Sequence, residues 1–130
     1  MGIEAGVVAR LNAVAAVTNL VSNRIFADVL PDGTTHPAIV YQLISTVPFD
    51  SNLNSDGDLR VSRVQFTLID DTKSGMIALS DAVETALKRF QGSVGGIEFV
   101  DSRLENNFDQ AYDLETDRVA RLMDFLIYYR

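Results

Sequence analysis

Carboxylates are the commonest chemically able side chains in this sequence: 18 Asp and Glu stand against 11 Lys and Arg, with one histidine and no cysteine. The run Asp50-Ser51-Asn52-Leu53-Asn54-Ser55-Asp56-Gly57-Asp58 spaces its oxygens like a calcium loop. Counted from Asn52, residues Asn54, Asp56 and Gly57 fall where an EF-hand needs them, but the closing bidentate glutamate position holds Arg63. No helix pattern precedes the run either, so it reads as a solvated hairpin connection. Asp70-Asp71 could pair for acid–base work. They sit where a strand pattern gives way to a helix pattern, and capping explains them equally well. A second acidic stretch, residues 106–117, carries Asp109, Asp113, Glu115 and Asp117 without a Lys or Arg among them. It reads as a surface connection. His36 precedes Pro37 with no Asp or Ser partner at a motif spacing, and it reads as a loop residue without a catalytic role.

Absent residue types narrow the chemistry further. Without cysteine there are no disulfides and no thiolate metal ligands, and with a single imidazole a zinc site would rest on carboxylates almost alone. Neither G-x-S-x-G, nor a phosphate loop, nor H-E-x-x-H occurs. The sequence therefore predicts no catalytic residue, no metal ligand and no cofactor. The candidate functional residues are the acids and amides of these two stretches, which could face a partner: Asp50, Asn52, Asn54, Asp56, Asp58, Asp109, Asp113, Glu115 and Asp117.

The elements that must position these residues centre on residues 59–90. Val64, Phe66 and Leu68 alternate with Arg63, Gln65 and Thr67, the period of a half-buried strand over Arg60–Asp70. Met76, Leu79, Val83, Ala86, Leu87 and Phe90 then recur at helical spacing. Asp71, Thr72 or Ser74 could cap this helix, Lys88 and Arg89 suit its last turn, and Gly92 could end it. Upstream, Ile3, Val7, Leu11, Val14, Thr18 and Val21 form one stripe, predicting a single helix over residues 3–21. Its few charges suggest burial on more than one side. Leu30-Pro31-Asp32-Gly33 is a turn. Strands are predicted over residues 38–45, 97–105 and 118–129. Both faces of the last are apolar, so it should lie inside the sheet and be covered on both sides. Asp124 in its middle needs a partner, with Arg63 or Arg103 the candidates.

The predicted fold class is α+β: a four-stranded, mostly antiparallel sheet with two helices packed on one face, forming one domain over residues 1–130. Apolar residues make up 47 % of the chain, enough for a core. A net charge of −7 argues against conventional nucleic-acid binding. Residues 1–21 lack the basic start and unbroken apolar run of a signal peptide and are too polar to span a bilayer. No membrane partner is expected, and the chain is read as cytoplasmic where it is made.

The order of elements resembles the tail-terminator (tail-completion) proteins of long-tailed bacteriophages. The resemblance covers residues 10–129. It rests on a first helix followed by Val21-Ser22-Asn23-Arg24-Ile25-Phe26, then a Pro-led strand His36-Pro37-Ala38-Ile39-Val40-Tyr41. The Val64–Leu87 strand–helix unit and the closing Arg121-Leu122-Met123-Asp124-Phe125-Leu126-Ile127-Tyr128 complete it. The resemblance implies a structural, non-enzymatic virion protein: a homo-oligomeric ring, typically a hexamer, on the head-proximal end of the tail tube. Its partners would be itself, the tail-tube protein and the head-tail connector. DNA would pass through the ring without specific binding. Its place would be the neck of the virion tail, reached from the host cytoplasm. The alternatives are another phage neck or head-completion protein, and a small α+β ligand-binding or enzymatic domain.

Overall fold

The computed structural model describes residues 2–48, 59–110 and 118–130. In chain order the elements are α1 (Ile3–Asn12), α2 (Ala15–Val21), β1 (Ile25–Ala27), β2 (Ala38–Pro48), β3 (Arg60–Asp70), α3 (Lys73–Leu87), β4 (Gly92–Val94), β5 (Ile97–Asp109) and β6 (Val119–Tyr129). The strands form one six-stranded sheet in the order β1-β2-β3-β6-β5-β4. β1 runs parallel to β2, and the remaining pairs are antiparallel. The α+β class stands, but the sheet has six strands where four are predicted. The additional β1 and β4 are three residues each and lie at the two edges. A run that short carries no readable alternation, and only its neighbour makes it a strand.

The predicted alternation in β3 is realised. Val64, Phe66 and Leu68 are fully buried, and they pair across the sheet with Leu43, Tyr41 and Ile39 on one side and with Phe125, Met123 and Arg121 on the other. All three helices contribute to the core on this face. Phe66 and Phe125 meet edge to face at 5.6 Å between ring centroids, a favoured aromatic geometry.

The N-terminal stripe does not form one helix. α1 and α2 meet at an 87° bend, with Val14 extended between them at φ −104°, ψ 113°. A continuous helix would have turned Thr18 inward. The bend instead buries Val17 and Val21 beside Val7 and Leu11, while the Thr18 hydroxyl turns back toward the Val14 and Ala15 carbonyls. Burial of apolar branches against β-sheet and α3 thus overrides the simple helical register. α1 approaches the β4–β5 turn closely. A Cβ on Gly6 would stand 2.8 Å from Ile97 Cβ, and Gly95, at φ +60°, lies under Ala5 and Ala9.

α3 begins as the sequence suggests, with Thr72 as its cap: the Thr72 hydroxyl accepts the Gly75 amide at 3.1 Å. It stops at Leu87, short of the predicted Phe90. Lys88 is already extended, and Arg89 takes a left-handed conformation, φ 60°. From there the Arg89 amide donates to the Ser102 carbonyl at 2.7 Å and its guanidinium to Asp101 at 2.8 Å. Those contacts with β5 outcompete another turn of helix. Phe90 is freed to pack on Phe99, with Arg10 over its outer face at 3.9 Å.

β6 lies between β3 and β5, inside the sheet as predicted. Its Met123, Phe125, Ile127 and Tyr129 face the helices and are buried. The other face is covered only in part: Leu122 is buried, but Ala120, Asp124, Leu126 and Tyr128 remain half-buried there.

Candidate interaction surface

Of the nine candidate acids and amides singled out above, the described residues include Asp109. Asp50, Asn52, Asn54, Asp56 and Asp58, with the calcium-like run, lie outside the described residues, as do Asp113, Glu115 and Asp117. Asp109 is placed, and its setting differs from the expectation. β5 does not stop at Glu105 but continues to Asp109, which sits opposite Arg121 of β6. One carboxylate oxygen accepts Arg121 Nε at 2.6 Å, and the other accepts the Lys73 ammonium at the start of α3. Hydrogen bonds from Arg121 and Lys73 hold its pKa at about 2, below the usual 3.8. Asp109 is therefore not a bare acidic group without a base. It clamps β5, β6 and α3 together, using cations 36 residues before it and 12 after it.

The paired acids Asp70 and Asp71 do local work. Asp70 accepts the Asp71 amide at 2.7 Å, and its other oxygen fills the space over Gly75, where a Cβ would stand 1.9 Å away. Asp71 accepts His36 Nδ1 at 2.8 Å. His36 thus has an acidic partner that a motif search could not find, because 35 residues separate them. The pair borders a shallow hollow of about 320 Å³ lined by Leu30, Pro31, Asp32, Gly33, Thr34, His36 and Arg118. Among the described residues that line it, the Thr34 hydroxyl donates to the Pro31 carbonyl. The arrangement supplies a carboxylate–imidazole pair, with no free nucleophile among the described lining residues. Among the described residues no three His, Asp or Glu side chains come together as a metal site, and no single helix is long and apolar enough to cross a membrane.

Asp124 finds neither of its expected partners. It faces Gln65 and Asn106 across the sheet, and its Oδ1 is sealed from solvent with no hydrogen-bond partner among the described residues. Arg103 lies near Asp101, at 3.9 Å, and near the Tyr128 ring. An offset of two residues along β6 decides this: Asp124 is level with polar amides, whereas Arg63 and Arg103 are both level with Leu126.

Exposed large apolar side chains occur at Val29 before β2, at Ile77 on α3 and on the outer strands. Ile44 and Val47 on β2 and Phe108 on β5 are each about half exposed (45 %, 53 % and 49 %). Sequence alternation had no reason to distinguish them from core positions.

The comparisons with known proteins agree with this architecture. The family model described as tail completion protein gp17 matches residues 5–130. A chain of the solved structure described as the virion of a native gene transfer agent particle superposes with a TM-score of 0.71 at 18 % identity, covering 95 % of this chain and 90 % of that one. At that identity the likeness shows the fold. No curated protein matches the sequence.

Proposed function

Since the chain belongs to the tail completion protein gp17 family, a structural part in the phage tail is its role, and we propose that it caps the head-proximal end of the tail tube as a ring. The ring, of six subunits, ends tube growth and forms the joint to the head connector. Its partners are copies of itself, the tail-tube protein and the connector protein, and its place is the neck of the virion tail, reached from the host cytoplasm. The observation that carries the reading is the family match over nearly the whole chain.

Charge and shape support it. A cap requires fitted surfaces rather than a reactive side chain. The seven net negative charges per subunit repel DNA passing through the bore and limit its sticking there. The acidic runs at residues 50–58 and 113–117 are proposed to face partners or the bore, and so is Asp109, whose charge is partly offset by Lys73 and Arg121.

The test is made in a phage lacking the gene. Its tails should exceed normal length or stay unattached to heads, and the purified protein should restore joining. Tails of normal length attached to heads in its absence overturn the proposal.

A further inference from the structure

Both long outer strands of the sheet run past the short strands that cover them. β1 pairs with β2 only from Ile39 to Tyr41, and the Asp28 amide takes the Tyr41 carbonyl just beyond. From Gln42 to Pro48 the outer edge of β2 has no strand beside it among the described residues. At the opposite side of the sheet, β4 pairs with β5 only from Ile97 to Phe99, and the Arg89 amide takes the Ser102 carbonyl. From Arg103 to Asp109 that edge is open as well, again among the described residues. Open strand edges present rows of unpaired amide and carbonyl groups and recruit further strands unless blunted. These two also carry the exposed Ile44, Val47 and Phe108.

We propose that the open edge of β2 in one subunit pairs with the open edge of β5 in the next, so that a second copy of this chain continues the sheet head to tail. This rests on the ring reading above and names the contact that builds the ring. The strand directions are right. β2, β3, β6 and β5 alternate in sense, so carrying the sheet onward sets β2 against the neighbour's β5 antiparallel. The register is nearly right too. In straight continuation Ser45 would lie level with Arg103, through Arg63 and Leu126. A slide of about three residues, roughly 10 Å, places Gln42–Pro48 beside the whole open run Arg103–Asp109 and clear of β4.

Charge favours the same arrangement. Gln42–Pro48 has no charged residue, and Asp109 is neutralised within its own subunit by Lys73 and Arg121. The slide brings the neighbour's Glu105 level with Thr46, which pairs with Ser62 between Arg60 and Arg63 of β3. Both arginines lack an ion pair among the described residues. Register breaks at Leu43/Ser45 and Leu104/Asn106 bend the two edges. They restrict pairing to a matching bent edge rather than any flat strand. Because the two edges differ, the contact is heterologous, the kind that closes into a ring.

The chain has no cysteine, so an introduced pair reports the contact without interference. Tails are assembled in a phage whose only copy of the gene carries Ser45→Cys with Asn106→Cys or, for a register two residues away, Val47→Cys with Asn106→Cys. They are then oxidised and run without reductant. One of the pairs should give a ladder of covalent multimers ending at the ring's subunit number, with at least fivefold more cross-linked chain than either single variant. Monomer only, in tails that contain the chain in normal amount, overturns the edge pairing and leaves the tail-cap reading standing. Dimers from single variants overturn it in favour of like edges meeting. Absence of the chain from tails overturns both readings.

Discussion

Replacing Asp109 with Asn removes a charge and leaves an amide oxygen that can still accept one hydrogen bond. The native carboxylate titrates at about 2 instead of 3.8, chiefly through the hydrogen bonds from Arg121 and Lys73. At full strength a shift of that size corresponds to about 2.5 kcal/mol. The side chain is 36 % exposed, and water and salt screen the pair, so about 1 kcal/mol is the expected effect. For a chain of this length that lowers the melting temperature by about 3–4 °C. The sign with pH follows from the depressed value. The stabilisation is complete above the unfolded pKa of 3.8 and is lost as pH falls toward 2. Thermal or urea unfolding of the parent and Asp109→Asn from pH 7 down to pH 2 should show a gap that is constant to about pH 4 and closes below it. Combining the variant with Arg121→Gln should cost less than the sum of the two singles, since both break one clamp. Equal stability at pH 7, or a gap that persists at pH 2, refutes the clamp.

Gly75→Ala should destabilise by about 1–3 kcal/mol, because a Cβ would overlap the Asp70 carboxylate at 1.9 Å and force it off the Asp71 amide; a melt within 1 °C of the parent contradicts this. Thr72→Ala, which removes the α3 cap, should cost about 1 kcal/mol by urea unfolding, and Thr72→Ser should recover most of it. Phe125→Ala, at a fully buried site against Phe66, should cost about 3–5 kcal/mol and leave the chain near the limit of folding by circular dichroism. Asp124→Leu, by contrast, should leave the isolated chain as stable as the parent or more so, because it replaces a carboxylate oxygen that is sealed without a partner; a clear loss of melting temperature means that the carboxylate is satisfied after all.

The sequence by itself determined the class and the centre of the fold. Val64, Phe66 and Leu68 alternate within one strand, and Met76, Leu79, Val83 and Leu87 recur within one helix. Such periods are properties of a single element and need no neighbour to be seen. The Pro-led strand at Ala38, the buried place of β6 and the order of elements behind the family resemblance were legible for the same reason. Only the tertiary structure decided the rest. β1 and β4 exist because β2 and β5 offer an edge. The bend at Val14 exists because Val17 and Val21 reach the core only after the chain turns. The Asp109 clamp, the His36–Asp71 pair and the isolation of Asp124 each depend on which residues of distant strands stand level. Periodicity fixes which way a side chain points from its own backbone. Pairing across a sheet is set by register between segments tens of residues apart, and a shift of one residue exchanges a partner for a stranger.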